Sequence, residues 1–141
     1  MGIIKKNNEG NGKTIFTIIL IILIFAGAFF MINNSKVTLV EESIEISGLY
    51  SINLDYSDIE EVKLEDSLPK NLKRTSGIDF FGTYLGNFKA DNMEDLKMFL
   101  KSRKEPYIYI KTKNKNYIIM NTKDRENTEK LYEDINSKIK K

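Results

Sequence analysis

Two kinds of hydrophobic pattern divide the chain. From Ile15 to Ile32 it reads IFTIILIILIFAGAFFMI, eighteen residues without a charge and with Thr17 as the one polar side chain. At 1.5 Å of rise per residue this run reaches about 27 Å, close to the roughly 30 Å hydrocarbon core of a bilayer, and predicts a transmembrane helix over 15–32. A buried helix of a soluble protein would need an apolar shell on every side, which the polar remainder cannot supply. Beyond this block the period falls to two. Tyr50, Ile52, Leu54 and Tyr56 alternate with Ser51, Asn53 and Asp55, the mark of a half-buried strand. Ile44 and Ile46 predict a shorter strand, and Ile59, Val62 and Leu64 another that stops near Pro69.

Further along, Tyr107 to Asn121 reads as a hairpin whose arms flank the polar turn 113–116, with Asn114 and Asn116 suited to left-handed backbone. Asp79 to Lys89 reads as one strand punctuated by Gly82 and Gly86. Leu96 to Lys101 fits either a strand or a helix face. The period then changes: Thr128, Leu131, Ile135 and Ile139 form one stripe of an amphipathic helix over about 124–140, with Asp124 as N-cap and Lys138 and Lys140 in the last turn. Strands followed by one C-terminal helix predict an all-β-dominated domain, a small curved sheet or open barrel covered by that helix.

Charge adds a direction. Lys5, Lys6 and Lys13 precede the apolar run and Lys36 alone follows closely, so the positive-inside rule places 1–14 in the cytoplasm as a short tail. It places residues 37–141 across the cell membrane, behind a brief linker at 33–36. The basic leader and Ala26-Gly27-Ala28 also suit a cleaved signal peptide, but cleavage there would leave Phe29, Phe30, Met31 and Ile32 as a bare apolar terminus. An uncleaved signal anchor, with one span, is the reading taken.

Composition removes function classes. The 141 residues carry 22 Lys+Arg against 20 Asp+Glu, and neither His, Cys nor Trp. Without the N-terminal tail the charges balance, so no basic field draws in nucleic acid. Without His or Cys there is no Ser-His-Asp or Cys-His arrangement and no zinc site of the usual kind; no cofactor or metal is expected.

Four blocks carry a family likeness: Lys73-Arg74-Thr75-Ser76-Gly77; Tyr84-Leu85-Gly86-Asn87-Phe88-Lys89; Pro106-Tyr107-Ile108-Tyr109-Ile110; and Asn127-Thr128-Glu129-Lys130-Leu131-Tyr132. In order and spacing they resemble the bacterial pleckstrin-homology-like domains of small membrane proteins, over roughly Lys36 to Lys138. The resemblance implies a bent antiparallel barrel of about seven strands capped by a C-terminal helix, and no particular activity.

Candidate binding residues follow. Arg74, Thr75 and Gly77 suit a loop that grips a carboxylate or phosphate, or else Arg74 pairs with an acid and organises a long loop. Gly82, Tyr84 and Gly86 divide between a ligand contact and bulge geometry. Lys111, Lys113 and Lys115 have alternate spacing near a hairpin tip, with Lys70 and Lys73 as neighbours, and offer either an anionic-lipid surface or a solvated face. Asp55, Asp58, Glu60, Glu61, Glu65 and Asp66 form neither a calcium loop nor a converging acid pair. Phe80 and Phe81 are adjacent, so one of them is expected to face a partner or the membrane. The leading expectation is a non-enzymatic interaction module for a protein or envelope component. A small carboxylate- or Ser/Lys-based enzyme and a direct lipid sensor are the alternatives.

Overall fold

The computed structural model describes residues 8–80 and 82–140. The chain divides into two compact units, 1–34 and 35–141. The first holds helix α1 (Asn8–Asn33), within which Gly10–Met31 is long and apolar enough to cross a membrane. The helix begins earlier than the apolar run alone predicts, because the polar residues ahead of Ile15 continue the same turns: Thr14 and Thr17 bond back to the carbonyls of Gly10 and Lys13. Asn33 belongs to the helix and Lys36 to a strand, so the linker expected at 33–36 shrinks to Asn34 and Ser35.

The described residues of the second unit form nine strands and one α-helix: β1 (Lys36–Leu39), β2 (Ser43–Ser47), β3 (Ile52–Asp55), β4 (Ile59–Glu65), β5 (Lys73–Phe80), β6 (Thr83–Ala90), β7 (Met93–Leu100), β8 (Tyr107–Thr112), β9 (Tyr117–Met120) and α2 (Arg125–Ile139). The resemblance implies about seven; the additional strands come from β1, ahead of the first strand read from the sequence, and from the division of the predicted strand 79–89 between β5 and β6. The predicted strand 50–56 ends at Asp55 in a 3-10 turn, Tyr56–Asp58. The predicted strand 79–89 is a hairpin, with Gly82 at φ +81° in its turn. Leu96 to Leu100 is strand.

The strands form two sheets, β1-β2-β3 and β4-β8-β9-β7-β6-β5. All pairs are antiparallel except β7 with β9, a departure from the all-antiparallel expectation. The exception arises because β8 lies on the far side of β9, so the connection 101–106 must pass the end of β9.

The central strands of the six-stranded sheet, β7, β8 and β9, are covered on both faces. Leu85, Phe99, Ile108, Ile110, Ile118 and Met120 meet Ile44 and Ile46 of β2 and Ile135 of α2. Phe88, Leu96, Met98, Leu100, Tyr107 and Ile119 form a second cluster, covered by Leu68 and Leu72 of the β4–β5 connection. A strand covered on both faces loses strict alternation, which is why Met98-Phe99-Leu100 are consecutive buried residues and why β7 reads ambiguously. At about 25 cal/mol per Å² of apolar area, these two clusters supply most of the favourable free energy of folding.

Helix α2 follows its predicted stripe. Thr128 and Ile135 are buried, Leu131 and Ile139 pack on the first core, and the Asp124 carboxylate accepts from the Asn127 backbone N–H at 2.8 Å as N-cap.

Candidate functional site

The nine candidate residues do not meet at one place. Arg74, Thr75 and Gly77 lie in β5, an edge strand, and not in a loop. Arg74 is exposed, and none of the ion pairs among the described residues includes it, so it does not organise its surroundings through an acid. The register of β5 against β6 slips between Arg74 and Ser76, making Thr75 the bulged residue; its hydroxyl donates to the Asn87 carbonyl at 3.0 Å.

Gly77 and Gly86 are direct cross-strand partners with φ of +144° and +125°. A Cβ on Gly77 would collide with the Leu85 carbonyl oxygen, and one on Gly86 would stand 2.6 Å from the Ser76 carbonyl oxygen. Their glycine identity therefore serves close backbone approach where the hairpin coils.

Gly82 and Tyr84 belong to a different cluster. The Arg103 guanidinium lies 5.2 Å from the centroid of the Tyr84 ring and 3.6 Å from the Asp79 carboxylate, and Tyr84 stands edge-on to Phe88 at 5.8 Å. Tyr107 donates its hydroxyl to the Arg103 carbonyl at 2.7 Å. Arg103 ties the β5–β6 turn to the connection 101–106, a role that no local signal around Arg103 announces.

The lysines separate as well. Lys111 is in β8, half-buried, and 3.8 Å from Glu60. Lys113 and Lys115 are in the turn beyond it, so the three share no strand face. The left-handed residue of that turn is Lys115, at φ +65°, rather than Asn114 or Asn116. Lys115 N–H donates to the Thr112 carbonyl, and the Thr112 hydroxyl accepts from Asn116 N–H, fixing the turn around Thr112.

Two of the concave surfaces lie against the six-stranded sheet. One is a cleft of about 320 Å³ between β3 and the six-stranded sheet, lined by Ile52 and Leu54 on one wall and by Thr75, Asn87, Lys97 and Ile118 on the other. β3 is an edge strand packed over β6, β7 and β9, and Thr75 of the other edge strand, β5, reaches the same cleft. Of the candidates named from sequence, Thr75 alone lines it. Asn53, Asn87 and Lys97 were missed because nothing in the local pattern says that β3 would pack over β6 and β7.

The other is a groove of about 600 Å³ over the second core, floored by Tyr109, Tyr117 and Met93 and edged by Lys63, Lys70 and Lys111 together with Glu61 and Glu65. Tyr109 donates to the Ser67 carbonyl at 2.6 Å, and burial, with Glu65 nearby, pushes its phenol up to about 12. Lys63 is 3.3 Å from Glu61. The carboxylates on β4 are exposed and spread along the strand, and among the described residues no group of three acids could hold a metal ion.

The family model described as "Bacterial PH domain" matches residues 35–139. No curated protein and no solved structure is matched by the chain.

Proposed function

The chain belongs to the bacterial PH domain family, and from that premise we propose that it is a single-pass membrane protein whose domain is a non-enzymatic module binding an extended segment of another envelope protein. In this reading Gly10–Met31 spans the cell membrane, the N-terminus is cytoplasmic, and the domain is on the outer side. The observation that carries the binding mode is the seam between β3 and β5. There, the unpaired edge of β3 borders a cleft lined by Ile52, Leu54 and Ile118, by Asn87 and Thr75, and by the charged Lys89, Glu94, Asp95 and Lys97, which suits backbone pairing by an added strand and a pocket for alternate side chains. The bulge at Thr75 breaks the regular β5 edge, favouring β3 as the strand that pairs with the guest.

The test is photo-crosslinking in living cells from benzoylphenylalanine placed at Asn53 in the full chain, with Asn114 as the control. An adduct from position 53, mapped to one extended segment of one protein and absent from position 114, is the expected result. Adducts from position 114 alone, or none from position 53, would count against the seam.

A further inference from the structure

One end of the domain gathers features that none of them would carry singly. The chain enters the domain at Ser35, and Lys36 pairs with Ser47, so the β2–β3 turn at Gly48 lies beside the entry point; a Cβ on Gly48 would stand 3.1 Å from the Ser35 Cα. Along the interior, Tyr50 to Ile52 face Gly86, Asn87 and Phe99, while Ile52 to Leu54 face Asn87 to Lys89 and Glu94 to Lys97. β3 and β6 therefore run in the same direction, and the β2–β3 turn is level with the β5–β6 turn. The connection 101–106 lies at this end too, since Arg103 reaches Tyr84 and Asp79 and packs by Gly82.

Outside α1, the two large apolar side chains exposed among the described residues, Leu49 at 48% and Phe80 at 51%, are both at this end. Phe81, the other member of the pair singled out in the sequence, lies outside the described residues. Lys101, Lys104 and Lys123 are at the same end, and none of the ion pairs among the described residues includes them. Burial and the neighbouring charge of Lys123 push the Lys101 ammonium down, so these two cations crowd each other. Exposed apolar tips beside lysines outside these ion pairs suit a surface that sits in a headgroup layer, with Asp66, Glu105 and Asp124 as acids of the same end.

We propose that this end of the domain rests on the bilayer, with Leu49 and Phe80 in the interfacial layer and Lys101, Lys104 and Lys123 against anionic lipid headgroups. The occupant is the membrane rather than a protein because of the tether: Asn34 alone separates α1 from Ser35, a reach of roughly 7 Å from Asn33 to Ser35. A span ending at Asn33 keeps this end at the membrane surface, and contacts too weak to recruit a free domain suffice when they are intramolecular. The consequence for function is orientation, since the seam between β3 and β5 is then presented side-on to the membrane.

The inference rests on α1 spanning the bilayer, and that premise fails separately, if alkaline carbonate extracts the full chain from membranes. The test of the inference itself uses the full chain in nanodiscs of phosphatidylglycerol and phosphatidylcholine, with a nitroxide on Leu49→Cys or on Asn114→Cys. The ratio of oxygen to nickel-chelate accessibility is expected to be several-fold higher at position 49 than at position 114. It should fall toward the value at 114 in Phe80→Ser, and also when Lys101, Lys104 and Lys123 are all Gln. These side chains are outside the two cores, so the variants keep the fold, which circular dichroism checks. Equal aqueous exposure at both positions, or a signal at position 49 indifferent to both variants, overturns the proposal.

Discussion

The two ends of the domain are closed by different chemistry. The end away from the chain's entry is held by short backbone ties: Tyr56 N–H to the Glu42 carbonyl, Lys113 N–H to the Asp58 carbonyl, and Asp91 N–H to the Lys70 carbonyl. Its turns carry the left-handed residues Asn71, Asn92 and Lys115. At the entry end the connection 101–106 crosses the end of β9, and one buried side chain ties it down. The Asn121 amide donates to the Ser102 carbonyl and hydroxyl and to the Lys104 carbonyl, and accepts from Lys101 N–H at 2.9 Å. Both ends are closed by contacts distant in sequence, but one uses backbone groups and the other side chains, with Asn121 at their centre. Backbone closure tolerates substitution of its side chains; the crossing leans on the Asn121 amide.

Substitutions should expose that difference, beginning where the strands joining the ends come closest. Gly77→Ala combines a forbidden φ with a collision against the Leu85 carbonyl and should cost about 3 kcal/mol or more, read as loss of the cooperative thermal transition. Asn121→Ala removes four part-buried hydrogen bonds and should cost about 2–4 kcal/mol. Hydrogen exchange should then speed up first in 101–106 and the start of α2, while the turns at Asn92 and Lys115 stay protected. Asp124→Ala, which uncaps α2 at the same end, should cost about 1 kcal/mol in denaturant melts. At the opposite end Lys115→Gly should stabilise the domain by about 0.5–1 kcal/mol, because φ of +65° suits glycine and no side-chain hydrogen bond of Lys115 is lost.

The same contrast explains what could be read from the chain. The β8–β9 hairpin, the α2 stripe with its Asp124 cap and the apolar α1 are legible because each is specified by spacing within one segment. β5 and β6 merge into one predicted strand because the sequence there has the apolar pair Phe80-Phe81 where polar residues would mark a break, leaving Gly82 as the one signal. The parallel β7–β9 pair and the Asn121 crossing are invisible to any local pattern, since both follow from where β8 inserts. For the same reason Thr75 can be named from sequence while Asn53, across the cleft, and Asn87 and Lys97, on the same wall, cannot. Gly77 and Gly86 stand out in the sequence, but the cause is their own close approach.

Placement of the domain across the membrane is the claim on which the partner search depends, and the absence of cysteine makes it directly testable. Ser102 is a poor labelling position, because its hydroxyl accepts from Asn121 and donates to the Thr122 carbonyl. Asn114, exposed in the turn at the far end, is a better one. With Asn114→Cys in the full chain, a membrane-impermeant maleimide should label intact cells as fully as lysed ones. Labelling only after permeabilisation, with the denatured protein fully reactive, would put the domain in the cytoplasm and contradict the account.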